Sequence, residues 1–130
     1  MRFILASTAI AAVCCAALGG CAGWAGRGAS GATLVGGFPG AALGSVAARA
    51  LDEGDRRQVA AALSAAPIGQ STAWRNRETG DSFTVTPTRS FETQGAACRD
   101  FRIEATVGGR LDGIAGSACR QDGGDWRLRE

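Results

Sequence analysis

Cys21 is the residue of this 130-residue chain whose position points most directly to a chemical reaction. It closely follows an uncharged run, Phe3–Leu18, which has a single positive charge in front of it at Arg2. Such a run is short for a membrane span of about 20 residues but typical of a signal peptide. The tetrapeptide Leu18–Cys21 (LGGC) is similar to a lipobox, in which a peptidase cuts before a lipid-modified cysteine. We predict a signal peptide at residues 1–20 and lipidation of Cys21, with an ordinary signal and an incidental cysteine as the alternative.

Lipidation of Cys21 would make the membrane the first partner of this chain. One acyl chain binds a bilayer only reversibly, whereas the three chains of a mature lipoprotein, palmitate among them, would hold it permanently. The residue after Cys21 is Ala22 and not Asp. By analogy with the bacterial sorting rule, this predicts a lipid anchor in the outer membrane, with the chain facing the periplasm or the cell surface.

Cys98 and Cys119 are the two cysteines that remain once the signal peptide and the lipid site are set aside. Gly108-Gly109 is typical of a two-residue hairpin turn, which would pair Val107 with Arg110. The same register places Cys98 directly opposite Cys119, in a non-hydrogen-bonded pair with Cα atoms about 4.5 Å apart. Because exported domains with a modest core commonly carry disulfides, we predict a Cys98–Cys119 disulfide.

The composition argues against catalysis and against nucleic-acid binding. The chain has no His, all of its basic residues are Arg, and its formal charge is +2. A catalytic Ser-His or Ser-Lys pair therefore cannot form. The small net charge also gives no positive electrostatic field that would attract nucleic acid. Asp100 and Glu104 flank Arg102, which is typical of a solvated ladder on one strand face, and Asp122 and Asp125 are ordinary turn residues. We predict no enzyme activity, catalytic residue, metal or cofactor.

Residues 21–50 are rich in glycine and alanine and uncharged between Arg27 and Arg49. Gly36, Gly40 and Gly44 recur every four residues, as in the GxxxG pattern that lets two helices approach closely. Pro39 interrupts that pattern as a helix breaker. The segment is therefore interpreted either as a flexible tether or as a glycine-zipper remnant, a helical arm that packs on itself or associates with the membrane.

Residues 51–130 show the pattern of one helix followed by strands. Asp52 is a suitable N-cap and Pro67 a suitable end for an amphipathic helix. Alternating and turn-bounded segments predict five strands, at Thr72–Asn76, Ser82–Phe91, Cys98–Val107, Arg110–Arg120 and Trp126–Arg129. The expected fold is α+β, with one N-terminal helix packed on a small antiparallel sheet of about five strands. Trp74 and Trp126 are interpreted as core residues, with a ligand platform as the alternative.

Several short motifs of this domain, in this order and spacing, resemble the C-terminal domain of the rickettsial seventeen-kilodalton surface-antigen lipoproteins. They are Leu51–Arg57, Ala65–Pro67, Trp74–Asn76, Thr84–Arg89, Ala97–Phe101, Ala118–Arg120 and Asp122–Trp126. The resemblance implies an outer-membrane lipoprotein without known catalytic residues, preceded by a glycine zipper. The zipper of this chain is shorter than in many such proteins and is broken by Pro39, so only Cys21 carries over as a functional position.

These observations predict a non-catalytic outer-membrane lipoprotein with a structural or interaction role in the cell envelope. The alternative is a binding module, either an envelope-assembly factor or an inhibitor of a foreign hydrolase in the periplasm, whose partner is another protein. An exposed apolar patch around Trp74 and Trp126, on the sheet face away from the helix, would favour the binding module. A uniformly polar face would favour the structural role.

Overall fold

The computed structural model of the chain describes residues 31–39 and 44–129. The predicted signal peptide, Cys21 and Gly40 lie outside these residues. In the described part, the chain forms six strands and two helices: β1 (Leu34–Val35), α1 (Val46–Ala50), α2 (Glu53–Ala65), β2 (Thr72–Arg75), β3 (Ser82–Thr93), β4 (Ala96–Val107), β5 (Arg110–Arg120) and β6 (Trp126–Leu128).

The strands form one curled, mixed sheet in the order β1-β6-β5-β4-β3-β2. All neighbours are antiparallel except β1, which runs parallel to β6 and pairs Leu34 with Trp126. The predicted fold, one N-terminal helix on about five antiparallel strands, is therefore wrong. It missed β1 and α1 because elements of two and five residues are too short to show a hydrophobic period.

The segment before residue 51 contributes to the core of the folded unit. Leu34, Phe38 and Ala47 are buried among the side chains of the sheet and of α2. Gly36 directly follows β1 with φ of +100° and lies against Leu128, so it adopts a turn conformation and not that of a zipper helix. The surface-antigen-like domain was expected to begin at Leu51, but the compact unit already includes Gly31 and the residues after it.

Helix α1 is short and is held by the side chain of a strand residue. Asp112 of β5 accepts hydrogen bonds from the Ser45 hydroxyl (2.6 Å) and the Ala47 amide (2.9 Å) at the start of α1. These two hydrogen bonds lower the pKa of Asp112 below its usual range. A helix this short is not stable alone, so it depends on this contact and on the burial of Ala47.

Helix α2 begins at the predicted N-cap and is closed at both ends by polar groups. Asp52 and Asp55 form a capping box, in which each carboxylate accepts a hydrogen bond from the other's backbone amide. At the other end, the Arg99 guanidinium from β4 donates to the carbonyls of Leu63 (2.9 Å) and Ala66 (2.6 Å). A cation at a helix C-terminus satisfies carbonyls and opposes the helix dipole, so Arg99 fixes α2 against the sheet.

Strand β3 bends where its proline lies. The register between β3 and β4 shifts between Pro87 and Arg89, as at a β-bulge, which is a position where proline is tolerated in a strand. The Pro87 carbonyl accepts a hydrogen bond from the amide of Gly69, which precedes the start of β2. The N–H and C=O groups of one strand residue point to the same side of the strand. The nitrogen of Pro87 therefore points away from β4, and its missing N–H removes no hydrogen bond from the β3–β4 ladder.

Candidate functional site

The two cysteines of the described chain form a disulfide between β4 and β5. Cys98 lies directly opposite Cys119, with Cα atoms 3.9 Å apart, and the hairpin register runs without a shift from Val107 to Cys98. The predicted pairing is thus present in the structure. Because both sulfurs are used in the bond, neither is available as a nucleophile, and the disulfide acts as a covalent link between β4 and β5.

Two of the carboxylates considered for catalysis, Asp100 and Asp125, are engaged in structural contacts. Asp100 accepts a hydrogen bond from Arg89 (2.8 Å), a neighbour on β3, where the sequence suggested a ladder with Arg102. Burial raises the pKa of Asp100, but the Ser117 hydroxyl and the Arg89 guanidinium lower it by more, and the net direction is down. Asp125 accepts a hydrogen bond from the Thr33 amide beside β1. Among the residues that the structure describes, no group of acidic or cysteine side chains could hold a metal ion.

Trp74 and Trp126 both lie on the helix side of the sheet. Trp126 is buried and its indole N–H donates to the Ser64 hydroxyl of α2 (2.9 Å), which confirms it as a core residue. Trp74 stacks on Phe83 with ring centroids 5.6 Å apart and stays half-buried at the sheet edge. Neither side chain therefore forms an apolar patch on the opposite sheet face.

The indole of Trp74 joins a polar network at the start of α2. It donates to Asp55 (2.9 Å), whose other carboxylate oxygen accepts from the Asn76 amide group (3.0 Å). The same Asn76 nitrogen donates to Asp52 (2.7 Å). The Asp55 backbone N–H and the Asn76 side chain, in that order, lower the pKa of Asp52. The network ties α2 to the turn after β2 and holds the indole at a fixed angle beside the helix.

An open groove runs between α2 and β2, with Trp74 as part of its floor. One end, of about 680 Å³, is lined by Gln58, Trp74, Arg75, Arg77 and Gly80. The other end, of about 240 Å³, is mainly apolar because the alanines of α2 line it, and its residues are Gln58, Ala61, Ala62, Ala65, Ala66, Gln70 and Thr72. Nothing in the sequence connects Gln58 with Trp74, since only the folded chain brings these two residues together.

The part of the chain that forms the helix–sheet unit matches known proteins. The family model described as 17 kDa outer membrane surface antigen matches residues 61–127. The 17 kDa surface antigen of Rickettsia bellii is 39% identical over 83 residues, 60% of this chain and 52% of the relative. Those of Rickettsia felis and Rickettsia conorii are 36% and 35% identical over the same length. The chain thus spans about half the length of these relatives. No solved structure matches it.

Proposed function

The chain belongs to the family of 17 kDa outer membrane surface antigens, and we propose that it is a non-catalytic outer-membrane lipoprotein whose folded unit has an interaction role in the envelope. The observation that carries the proposal is that several of its carboxylates make structural hydrogen bonds. Asp55, Asp100, Asp112 and Asp125 each accept hydrogen bonds that fasten one element to another. Carboxylates held in this way stabilise the fold, and their engagement argues against a role for these four in acid–base chemistry.

The relatives are named surface antigens, which suggests that this chain is located at the cell surface or in the envelope. We further propose that Cys21 is lipidated. If Cys21 carries the lipid, nine residues separate the anchor from Gly31, where the folded unit begins. Such a segment spans at most about 35 Å from Cys21 to Gly31, so the folded unit would remain close to the bilayer. In the described residues, no helix has the length and apolar character needed to cross a membrane.

The anchor is tested by following the precursor in cells. With globomycin, which blocks lipoprotein signal peptidase, we expect the unprocessed precursor to accumulate, and with labelled palmitate we expect label in the mature chain. Cys21→Ser should remove the label, whereas Cys14→Ser and Cys15→Ser, inside the predicted signal peptide, should leave it unchanged. Normal processing under globomycin, or equal labelling of the Cys21→Ser protein, would refute the lipoprotein assignment.

The orientation of the folded unit is tested separately. Intact cells are treated with trypsin, to which the many arginines of this chain offer sites, and the protein is compared with that in permeabilised cells. Loss of the protein from intact cells would place it on the surface, and loss only after permeabilisation would place it in the periplasm. Recovery of the protein in a soluble fraction, away from membranes, would contradict the proposed anchor.

A protein-binding module remains as the second candidate because of the groove beside Trp74. Trp74 and Trp126 do not form an apolar patch on the far sheet face, which is the feature that would have favoured a binding module there. The groove between α2 and β2 instead combines an aromatic floor, small alanines and arginines. A partner protein of this second candidate would therefore be sought at this groove.

A further inference from the structure

The face of the sheet that points away from α2, here called the far face, is identified from the strand register. Successive side chains of a strand point to opposite faces of its sheet. Phe101 and Ile103 of β4 are buried in the core on the helix side, so Asp100, Arg102 and Glu104 project from the far face. The residues that stand directly opposite these three on β3 and β5 belong to the same face.

Four arginines but only two carboxylates project from the far face along β3 to β6. The arginines are Arg89, Arg102, Arg127 and Arg129, which directly follows β6, and the carboxylates are Asp100 and Glu104. All four arginines are exposed. Among the residues that the structure describes, which do not include Glu130, the side chains of Arg102 and Arg127 form no hydrogen bond or ion pair. The described part of the far face therefore carries an excess of positive charge.

Two of these arginines are held in place around one aromatic ring. The guanidinium carbons of Arg89 and Arg129 lie 4.4 Å and 5.3 Å from the centre of the Phe91 ring. The negative face of an aromatic ring attracts a cation placed over it. Arg89 also donates a hydrogen bond to Asp100 at 2.8 Å. The cluster therefore holds two positive charges on the far face, and a single carboxylate balances them.

The side of the unit that carries α2 has a different balance of charges. The surface at the start of α2 is lined by four carboxylates and three arginines. A negatively charged surface would therefore be attracted to the far face and not to this side of the unit. The charges indicate how the folded unit would turn beside such a surface.

Two further observations favour a membrane as that surface. Leu111 lies on the far face, opposite Thr106, and its side chain is 85% exposed. An apolar side chain on the same face as the cations suits a bilayer, which offers an apolar layer beneath its charged headgroups, whereas a soluble anion does not. An anchor at Cys21 would also keep Gly31 within about 35 Å of the lipid.

We propose that the far face binds the anionic lipid headgroups of the membrane in which the chain is anchored, so that the sheet faces the bilayer and α2 faces away from it. The inference rests on the proposed anchor for holding the unit at the membrane, whereas the attraction itself comes from the arginines. Each arginine close to an anionic membrane surface strengthens binding about fivefold.

The test uses the lipoprotein purified from cells and reconstituted in nanodiscs of equal parts phosphatidylglycerol and phosphatidylcholine. A gadolinium chelate on a lipid headgroup broadens nearby amide signals in nuclear magnetic resonance spectra, and this broadening falls steeply with distance. Ala115 on the far face and Ala61 on α2, both exposed, serve as reporters. We expect Ala115 to be broadened more than Ala61. The difference should disappear in discs of phosphatidylcholine alone and at about 1 M salt, where charges are screened beyond about 3 Å.

Arg102→Gln/Arg127→Gln is the decisive variant, because it removes two charges from the far face and keeps the cluster around Phe91. Both side chains are exposed, so folding should be preserved. At about fivefold per arginine, we expect the ratio of docked to undocked protein to fall about 25-fold. Arg57→Gln/Arg77→Gln lowers the net charge equally at exposed positions away from the far face and should leave the broadening of Ala115 unchanged.

Equal broadening of Ala115 and Ala61 in the anionic discs, or stronger broadening of Ala61, would overturn the proposal. Equal losses in the two double variants would also overturn it, because the net charge and not the far face would then be responsible. Inorganic phosphate that shifts the far-face signals and releases the unit from the discs at millimolar concentration would assign the arginines to a soluble anion instead.

The anchor and the far face are tested by different readouts of the same experiment. Recovery of the protein with the discs reports the anchor, and the pattern of broadening reports which face meets the lipid. If the chain carries no lipid at Cys21, the protein is added to the same discs without an anchor. Stronger broadening of Ala115 than of Ala61 is then still expected, and equal broadening still overturns the proposal.

Discussion

Gly116 is the position where adding a single methyl group should test the packing of the sheet most directly. It lies on β5 opposite Phe101, and a Cβ atom built there would come within 2.7 Å of the ring Cζ and 3.2–3.3 Å of the two Cε atoms. Carbon atoms pack best at about 3.5–4.0 Å, so the Gly116→Ala methyl would overlap the ring by roughly 1 Å. Phe101 is only 1% exposed and has no space into which to move.

Overpacking of this kind typically costs about 1–3 kcal/mol. Replacing a strand glycine by alanine returns about 0.5–1 kcal/mol through backbone entropy. We therefore expect Gly116→Ala to lower the free energy of unfolding by about 1 kcal/mol, and by about 2.5 kcal/mol at most. The urea midpoint should fall accordingly, at an unchanged m-value. The measurement is equilibrium urea unfolding followed by tryptophan fluorescence.

Gly113→Ala is the matched control on the same strand, because its Cβ would meet only the Ile103 carbonyl, at an ordinary 3.7 Å. It should be neutral or slightly stabilising. Adding Phe101→Leu should relieve the strain, so that Gly116→Ala costs less in that background than in the native chain. Equal midpoints for the Gly116→Ala and Gly113→Ala chains would refute the reasoning, as would a cost of Gly116→Ala that persists after Phe101→Leu.

Three further predictions concern the contacts that join the elements. Arg99→Met keeps the aliphatic stem but removes the charged hydrogen bonds to the end of α2, and should lower the free energy of unfolding by about 1–3 kcal/mol; an unchanged thermal midpoint would contradict it. Loss of the disulfide in the Cys98→Ala/Cys119→Ala chain, whose cysteines are 21 residues apart, should cost about 3 kcal/mol by the chain-entropy relation, whereas free thiols in the untreated native chain would contradict the pairing. The pKa of Asp112 is lowered on folding, so its contribution to stability is fully present above the unfolded pKa of about 3.9 and is lost as the pH falls through the lower folded value. Urea midpoints of the native and Asp112→Asn chains should therefore converge as the pH is lowered from 7 to 3, and a constant difference would contradict this.

The parts of the fold that were predicted from sequence are those specified by local chemistry. The N-cap at Asp52 and the breaker at Pro67 fixed the extent of α2, because caps and prolines act on their own backbone neighbours. The Gly108-Gly109 turn fixed the register of the β4–β5 hairpin, and through it the Cys98–Cys119 pair. In each case, the structure is determined either by residues close together in the sequence or by the regular hydrogen-bond pairing of two strands joined by a short turn.

The parts that escaped prediction depend on contacts between distant residues. Strand β1 has only two residues. The residue before it, Thr33, donates its amide to the Asp125 side chain and accepts a hydrogen bond from the Trp126 amide, more than 90 positions later in the chain. Its glycine-rich surroundings are typical of a linker, and nothing local distinguishes a linker from a strand this short. The groove escaped for the same reason, since Gln58 and Arg77 become neighbours only when α2 lies against β2.

The contribution of β1 to the core bears on how a lipid anchor at Cys21 would act. A long tether would let the folded unit move away from the bilayer, whereas Leu34 and Phe38, both buried, fasten the chain to the sheet only 13 and 17 residues after Cys21. Strand β1, which lies in this N-terminal segment, forms one edge of the sheet, and β2 forms the opposite edge. The groove beside β2 therefore lies at the other end of the strand order from β1, so the segment that follows Cys21 completes the core without contributing to the groove.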